Sequence, residues 1–219
     1  MEAGPEGTRF RAVGGGGPAA EIQAPLWGRH NVKNTLAVFL LLKELGFDPA
    51  AVADGIASFP GVRRRGEVLL RSVDLWVVDD FAHHPTAVKT TLEGLKEHFK
   101  GHSILAIFEP RTNTSRTKVF QAAYADSFAA ADVVLILPPP PGKPGEEPFS
   151  PAVLARDLRA HGREARVVSD YESTLEILPG LLKGKTLIVT LSNGSMDGLP
   201  LRISSEFGVQ SSERGGEAR

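Results

Sequence analysis

The sequence predicts an α/β protein with a Rossmann-like, doubly wound and mostly parallel sheet, preceded by a smaller unit. Short apolar runs alternate with amphipathic segments between residues 67 and 191. This alternation implies right-handed crossovers and a parallel sheet that is covered by helices on both faces. Hydrophobic residues form 42% of the 219-residue chain, which is enough to build such a core.

The first sixty residues predict the smaller unit. TRFRAV and AEIQAPL are expected to form two short strands, joined by a turn through the glycine run at 14–17. A helical pattern then runs from Asn31 to a C-cap at Gly46. Pro49 opens a second helix that is expected to end near Pro60.

The larger unit begins with EVLLRSVDLWVVDD, which predicts two strands around a tight Ser-Val-Asp turn. Helices are then expected at 86–99, 115–129, 150–161 and 170–182, and strands at 103–108, 132–136, 165–168 and 185–191. In a sheet of this type the ligand site lies beyond the carboxyl ends of the strands. The loops that follow those ends are DDFAHHP, EPRTNTSRT, LPPPPGKPG and SNGSMDG, and three of the four are densely polar.

Charge and composition narrow the classes of function. With 25 basic and 26 acidic residues the net charge is -1, which gives no support for a nucleic-acid or membrane partner. The absence of cysteine excludes disulfides, zinc–thiolate sites and thiol nucleophiles. The longest apolar runs are too short to span a bilayer and the N-terminus lacks a signal segment, so a cytoplasmic protein is expected. The polar, glycine-rich ends, 1–7 and 206–219, are expected to be disordered.

Two acids and two histidines follow the first long strand, in DDFAHHP. One interpretation is a divalent metal site, but alternation along a strand separates Asp79 from Asp80, and no second cluster of ligands accompanies them. Another is a nucleotide site, because helix N-terminal amides after Pro85 favour an anion and a carboxylate can bind ribose hydroxyls. The third interpretation, an exposed polar turn, stays open.

GRHNVKN and GVRRRGE carry a second group of candidates. His30, Asn31 and Asn34 are spaced to share one face at the start of a helix. An amide side chain can bind an adenine edge, although Asn31 is also a good N-cap. The three arginines at 63–65 can clamp phosphates, or they can belong to a solvated linker.

FEPRTNTSRTKVFQ carries the third group. Glu109 leaves the strand, and the residues from Arg111 to Arg116 form a polar loop that enters a helix. Arginines and hydroxyls suit a ligand that bears carboxylates, whereas Thr114 or Ser115 as an N-cap is the simpler alternative. GLLKGKT at 180–186 resembles a phosphate-binding loop, but it has three residues between the first glycine and GKT and stands between a helix and a following strand. The phosphate-binding motif needs four residues there and the opposite order, so a basic turn is favoured.

Four of these stretches occur in an order that resembles the carboxyl half of a Mur ligase, over roughly residues 8–205. They are GRHNVKN, FPGVRRRGE, VDDFAHHPT and FEPRTNTSRTKVFQ. Mur ligases are ATP-dependent enzymes that form amide bonds in peptidoglycan precursors through an acyl phosphate. The resemblance implies an ATP-binding set of His30, Asn31, Asn34, Arg65, Asp80 and His83. It implies a peptide-binding set of Arg111, Asn113, Ser115 and Arg116.

The resemblance also implies a division of the chain. Residues 1–60 match the tail of a central ATPase domain, and residues 61–205 match the carboxyl-terminal domain. The sequence contains no true phosphate-binding loop, and the Mg²⁺ ligands are expected mainly outside it. The chain is therefore expected to be inactive alone and to need the N-terminal and central domains of the same enzyme.

FEPRTNTSRTKVFQ is the most specific stretch, and SNGSMDG agrees with it loosely. Both resemble the members that join L-alanyl-γ-D-glutamyl-meso-diaminopimelate to UDP-N-acetylmuramate during peptidoglycan recycling. The alternative within the family is addition of L-alanine to UDP-N-acetylmuramate. Outside it, a non-catalytic nucleotide- or peptide-binding module and a metal-dependent phosphoesterase are the rival hypotheses.

Overall fold

The computed structural model describes residues 1–13, 20–142 and 144–214, with the backbone alone for 209–214. The predicted glycine turn at 14–17 lies outside the described residues. The strands are β1 Glu2–Gly4, β2 Gly7–Ala12, β3 Ala20–Ala24, β4 Arg65–Arg71, β5 Leu75–Asp80, β6 Ser103–Phe108, β7 Val133–Ile136, β8 Glu164–Val167 and β9 Thr186–Leu191. The α-helices are α1 Arg29–Glu44, α2 Pro49–Ala57, α3 Pro85–His98, α4 Gln121–Ser127, α5 Pro151–Ala160, α6 Tyr171–Ile177 and α7 Leu199–Arg214.

The smaller unit is an antiparallel sheet of three strands in the order β1-β2-β3, with α1 and α2 against it. Phe10, Ile22 and Phe39 are in its small core. Disorder was expected for residues 1–7, but β1 pairs with β2 and so places residues 2–4 in the sheet. The physical reason is backbone pairing across a tight turn, which polar side chains do not prevent.

The larger unit is a six-stranded sheet in the order β4-β5-β9-β6-β7-β8. All neighbouring pairs are parallel except β4 and β5, which form the antiparallel edge. Alternate side chains of the strands pack against α3, α4 and α5 on one face and against α6 and α7 on the other. The predicted doubly wound, mostly parallel sheet is therefore confirmed.

Two helices differ from their predicted spans, and one was not predicted. The expected helix at 115–129 is a 3₁₀ turn at Lys118–Phe120 followed by α4, because hydroxyls in residues 112–117 bond to the local backbone instead. In the expected helix at 170–182, the α-helix α6 ends at Ile177 and the chain continues as a 3₁₀ turn. α7 occupies part of the expected disordered tail, because Phe207 is buried in the core at 5% exposure.

The parallel strands bring the polar loops to one edge of the sheet. β5, β6, β7 and β9 all end there, so DDFAHHP, EPRTNTSRT and SNGSMDG lie side by side. GLLKGKT precedes β9 and lies at the opposite edge. Within the described ranges, none of the helices is long and apolar enough to cross a bilayer.

Two glycines set the contact between the two units. A Cβ added to Gly94 of α3 would lie 2.9 Å from the Cα of Gly28, closer than real contacts allow. Trp27 packs edge-on against Phe99, with ring centroids 5.1 Å apart. The short side chains therefore let the start of α1 rest directly on α3.

Candidate functional site

A cavity of about 700 Å³ lies between the two units, beside the carboxyl end of β5. Its walls come from the start of α1, the start of β4, the end of β5 and the first turns of α3. Five of the six residues predicted to bind the nucleotide line it: His30, Asn31, Asn34, Arg65 and Asp80. Folding thus brings together residues that are up to fifty positions apart in the sequence.

Asp80 is the buried acid of this cavity, at 8% exposure. One carboxylate oxygen accepts the Ala82 N–H at 2.8 Å and the Thr91 hydroxyl at 3.4 Å. Burial raises the pKa of Asp80, while the Ala82 and Gly66 amides and the Arg65 charge oppose that rise. These local donors orient the carboxylate at the cavity wall, where it can accept hydroxyl donors from a ligand.

His30 stands at the first turn of α1 and reaches the same cavity. Its buried Nδ1 has no hydrogen-bond partner. Burial lowers the pKa of His30, and the nearby Asp80 carboxylate only partly counteracts this effect. This atom is inaccessible to solvent and lies beside Gly28, so a ligand would reach it only if the ring turned.

Asn31 and Asn34 form a short chain of amides. Asn31 donates to the Trp27 carbonyl at 2.9 Å, and Asn34 donates to the Asn31 side-chain oxygen at 3.5 Å. The N-cap residue of α1 is Gly28. The Asn31 side chain bonds to the Trp27 carbonyl, whereas an N-cap side chain would accept a backbone N–H of the first turn. The simpler N-cap alternative for Asn31 is therefore not what the structure shows.

Arg64 and Arg65 enclose the ring of Phe81. Their guanidinium carbons lie 5.3 and 5.0 Å from its centroid. Arg65 is exposed and lines the cavity, whereas Arg64 points toward the end of β9 and donates to the carbonyls of Ser192 and Gly194. Arg64 has a positive φ of 57°, a strained value for a residue with a side chain.

Asp79 and Asp80 face opposite sides of β5. Asp79 accepts the Thr190 hydroxyl at 2.8 Å and the Arg64 Nε at 3.1 Å. It therefore braces β9 and the β4 edge, while Asp80 faces the cavity. This separation is the one that strand alternation predicted.

The two histidines of DDFAHHP also separate. His83 Nδ1 is 2.8 Å from the Phe81 carbonyl, and its ring lies edge-on against Phe81. This local bond folds the His83 ring away, so His83 is not in the cavity lining, where the prediction placed it. His84, which precedes α3 and packs on Phe120, lines the cavity instead.

The described residues contain no group of three or more His, Asp or Glu side chains that would hold a metal ion. Asp79 and Asp80 are engaged on opposite sides of their strand, as described above. The metal-site interpretation of DDFAHHP is therefore not supported in the part of the chain that the structure describes.

The predicted peptide-binding residues lie in a second region, at the ends of β6 and β9. Arg111 contacts Glu109 at 3.4 Å, and its side chain is 46% exposed. Asn113 is exposed on the same loop. Arg116 is mostly buried and pairs with Glu146 of the proline-rich loop at 3.2 Å. Arg111 and Asn113 are therefore the two members of the set that face solvent.

Ser115 is enclosed by its own loop, at 1% exposure. Its hydroxyl accepts the Thr112 N–H at 2.8 Å and lies 2.7 Å from the Thr112 hydroxyl. It also lies in hydrogen-bonding reach of the Tyr124 phenol. Ser115 therefore shapes the loop that carries Arg111, and its hydroxyl has no free path to a ligand.

Sequence reasoning missed several polar residues of this region. Glu109 and Ser192 directly follow β6 and β9, so their position after a strand was a usable signal. Tyr171 and Tyr124 are helix residues without a local motif, and only the packing of α6 and α4 brings their hydroxyls to these loops.

Comparison with known proteins places the chain among a family of ligases. The family model of the Mur ligase, glutamate ligase domain, matches residues 64–194. The UDP-N-acetylmuramate–L-alanine ligase of Desulforapulum autotrophicum is 32% identical over 197 residues, which cover 87% of this chain and 42% of that protein.

Two solved structures are also similar. The UDP-N-acetylmuramate–alanine ligase of Thermotoga maritima gives a TM-score of 0.70 at 25% identity, covering 87% of this chain and 40% of that one. A murein peptide ligase from Psychrobacter arcticus gives 0.59 at 30% identity, covering 85% and 39%. The chain spans less than half of the length of the relatives that it matches.

Proposed function

This chain belongs to the Mur ligase family, and on that premise we propose that it is the carboxyl part of an ATP-dependent ligase that forms an amide bond in a peptidoglycan precursor. The observation that carries the proposal is the cavity between the two units. Its wall gathers amides, a buried carboxylate, a histidine with an unsatisfied nitrogen and an exposed arginine. These are the kinds of group that a purine nucleotide needs.

The residues present fit ATP in their donor and acceptor types. The Asn34 amide offers a donor beside an acceptor, which suits an adenine edge. The Asp80 carboxylate suits the ribose hydroxyls, and the Arg65 guanidinium suits phosphate oxygens. Bound ATP would supply the phosphoryl group that activates the carboxylate of the acceptor substrate. The described residues offer no matching set for Mg²⁺, and its ligands would come mainly from the rest of a longer enzyme.

In this proposal the chain's own residues bind, orient and stabilise charge. The transition states of phosphoryl and acyl transfer are strongly anionic. Arg65 in the cavity and Arg111 on the loop after β6 therefore contribute electrostatic stabilisation. Holding two substrates in register lowers the entropic part of the barrier. The phosphate-binding loop has to come from elsewhere, so the chain alone is expected to form no amide bond.

An exposed apolar face supports a role as part of a longer enzyme. α1 buries Phe39 but leaves Val38 and Leu41 exposed, and Leu45 and Phe47 beyond its end are also exposed. An apolar groove of about 600 Å³ runs beside α2. We expect the rest of a central ATPase domain to cover this face, which agrees with the partial span of the relatives.

For the substrate, we propose the tripeptide L-alanyl-γ-D-glutamyl-meso-diaminopimelate, joined to UDP-N-acetylmuramate during peptidoglycan recycling. The exposed Arg111 and Asn113 support a substrate with several carboxylates. The similarity to a murein peptide ligase agrees with this choice. Addition of L-alanine is the second candidate, favoured by the curated relatives that carry that name.

The test is an NMR titration of the ¹⁵N-labelled chain with ATP, with the tripeptide and, as control, with L-alanine. We expect ATP to shift amides around the cavity, at 28–34 and 80–91. We expect the tripeptide to shift the 109–116 loop, and L-alanine to leave it unchanged. Equal shifts with L-alanine would favour the second candidate.

A longer protein that includes the phosphate-binding-loop domain is the matched control. If neither ATP nor tripeptide shifted these residues in that longer protein, the proposal would be wrong. Amide formation by the purified 219-residue chain would contradict the expectation that it is inactive alone.

A further inference from the structure

Glu109 is a buried carboxylate at the carboxyl end of β6, at 3% exposure. One of its oxygens accepts the Tyr171 hydroxyl at 2.5 Å and lies 3.4 Å from the Arg111 guanidinium. The other oxygen accepts the Ser192 hydroxyl at 2.6 Å. Three separate elements, α6, the end of β9 and the loop after β6, thus converge on one acid.

The two hydroxyls are committed to donating toward Glu109. Ser192 is fully buried, and its oxygen already accepts the Gly194 N–H at 2.9 Å, so its own proton is free for the carboxylate. Burial, and then the Glu109 carboxylate, raise the pKa of Tyr171, so its phenol keeps its proton. Glu109 is therefore held by two hydroxyl donors, and its orientation does not depend on Arg111.

Arg111 rests on the loop after β9. A Cβ added to Gly194 would lie 2.5 Å from the Arg111 Cδ and 2.9 Å from its Nε. This contact closes one side of the Arg111 side chain, and Glu109 binds one nitrogen of its guanidinium. The other guanidinium hydrogens are left for a partner from solvent, because the side chain is 46% exposed.

The loop after β9, on which Arg111 rests, is itself held by hydrogen bonds. Arg64 donates to the carbonyls of Ser192, at 2.7 Å, and Gly194. Asp79 holds Arg64 through its Nε. The loop after β9 therefore has little freedom to move away from Arg111.

We propose that Glu109, held by Tyr171 and Ser192, is a positioning residue that fixes the Arg111 guanidinium to receive a carboxylate of the incoming peptide. The inference rests on the proposed function, which assigns that carboxylate to Arg111. A guanidinium that is already oriented loses less conformational freedom on binding than a mobile one does. Tyr171 and Ser192 act through Glu109 and are not placed in contact with substrate.

The experiment follows the Arg111 Nε–Hε signal by NMR in the full 219-residue chain, without ligand, with the signal assigned by Arg111→Lys. We expect an order parameter of about 0.8 in the parent chain, falling below about 0.6 in Tyr171→Phe and in Ser192→Ala. Ser205→Ala is the control, because it removes an exposed hydroxyl on α7 and leaves the bonds of Glu109 intact. It should leave the Arg111 signal unchanged.

An unchanged Arg111 signal in both Tyr171→Phe and Ser192→Ala, with folded spectra, would overturn the inference. If one variant fails to fold, the other decides. Glu109→Gln should also mobilise Arg111, because the amide replaces one of the two acceptor oxygens by an NH₂ donor.

Tripeptide titration of the same samples is a separate arm. We expect binding to weaken by up to about tenfold in Tyr171→Phe, because a mobile Arg111 side chain must then be ordered on binding. Failure of the parent chain to bind tripeptide would count against the proposed function alone, because the ligand-free Arg111 signal decides the positioning role by itself.

Discussion

The phenol of Tyr124 donates a hydrogen bond of 2.5 Å to the backbone carbonyl of His83. Tyr124 is fully buried in α4, and His83 belongs to the loop after β5. The same phenol lies within hydrogen-bonding reach of Ser115. One oxygen atom therefore links the loop after β5, beside the cavity, to the loop that carries Arg111.

Tyr124→Phe should weaken this link while its ring keeps its packing against Phe108 and Phe128. The His83 carbonyl then loses its partner, which costs about 1 to 2 kcal/mol of unfolding free energy. Urea denaturation followed by circular dichroism measures the change. Ser205→Ala, which removes an exposed hydroxyl on α7, should change stability by less than about 0.5 kcal/mol. Equal effects of the two variants would contradict the role of the Tyr124 hydroxyl.

The two tyrosines should make the fold sensitive to alkaline pH. Burial raises the pKa of Tyr124 and of Tyr171 above the ordinary value of 10.0. The folded state thus keeps protons that the unfolded state releases near pH 10, so stability is full below that pH and is lost as pH rises above it. Ultraviolet titration should show little tyrosinate before unfolding begins. Ordinary titration of both phenols in the folded chain would refute this expectation.

Asp80→Asn should separate stability from binding. Burial raises the pKa of Asp80, so its charge opposes folding at neutral pH, and the amide oxygen can still accept the Ala82 N–H. We expect unchanged or higher stability, by up to about 1 kcal/mol, together with loss of the ATP-induced shifts. Thermal unfolding and the NMR titration measure the two effects. A strong destabilisation at pH 7 would show that the charge of Asp80 is part of the fold.

Gly94→Ala should push the two units apart. The new Cβ would meet the Gly28 Cα at 2.9 Å, and we expect about 1 to 3 kcal/mol of destabilisation from this overpacking, even though alanine favours a helix. Gly55→Ala in α2 is the matched control, because a Cβ there meets nothing within 4 Å. That variant should be more stable by about 0.5 to 1 kcal/mol. Denaturant unfolding of the two variants measures both changes in the free energy of unfolding. Changes of the same sign would contradict the close contact between Gly94 and Gly28.

The alternating pattern of the sequence was sufficient to predict the larger sheet and most of its elements. LWVVDD and TLIVTL are short apolar runs that predicted buried strands, and all six positions of each are buried. The polar loops after β5, β6 and β9 follow from the same pattern, because parallel strands end at one edge. α7 was not predicted, because Leu199, Ile203 and Phe207 are buried only by packing on a face of the sheet.

The sequence by itself determined which residues are available at the site, among them Asp80, Asn34, Arg65 and Arg111, since strand ends and loop chemistry are local properties. Tertiary structure alone decided how they are used. Asp79 bonds to Thr190 on the neighbouring strand, His84 lines the cavity in place of His83, and Ser115 is buried. Tertiary structure also brought Tyr171 and Ser192 to Glu109, over sequence separations of 62 and 83 residues. The physical reason is that side-chain direction and hydrogen-bond partners depend on packing between elements, which no local pattern encodes.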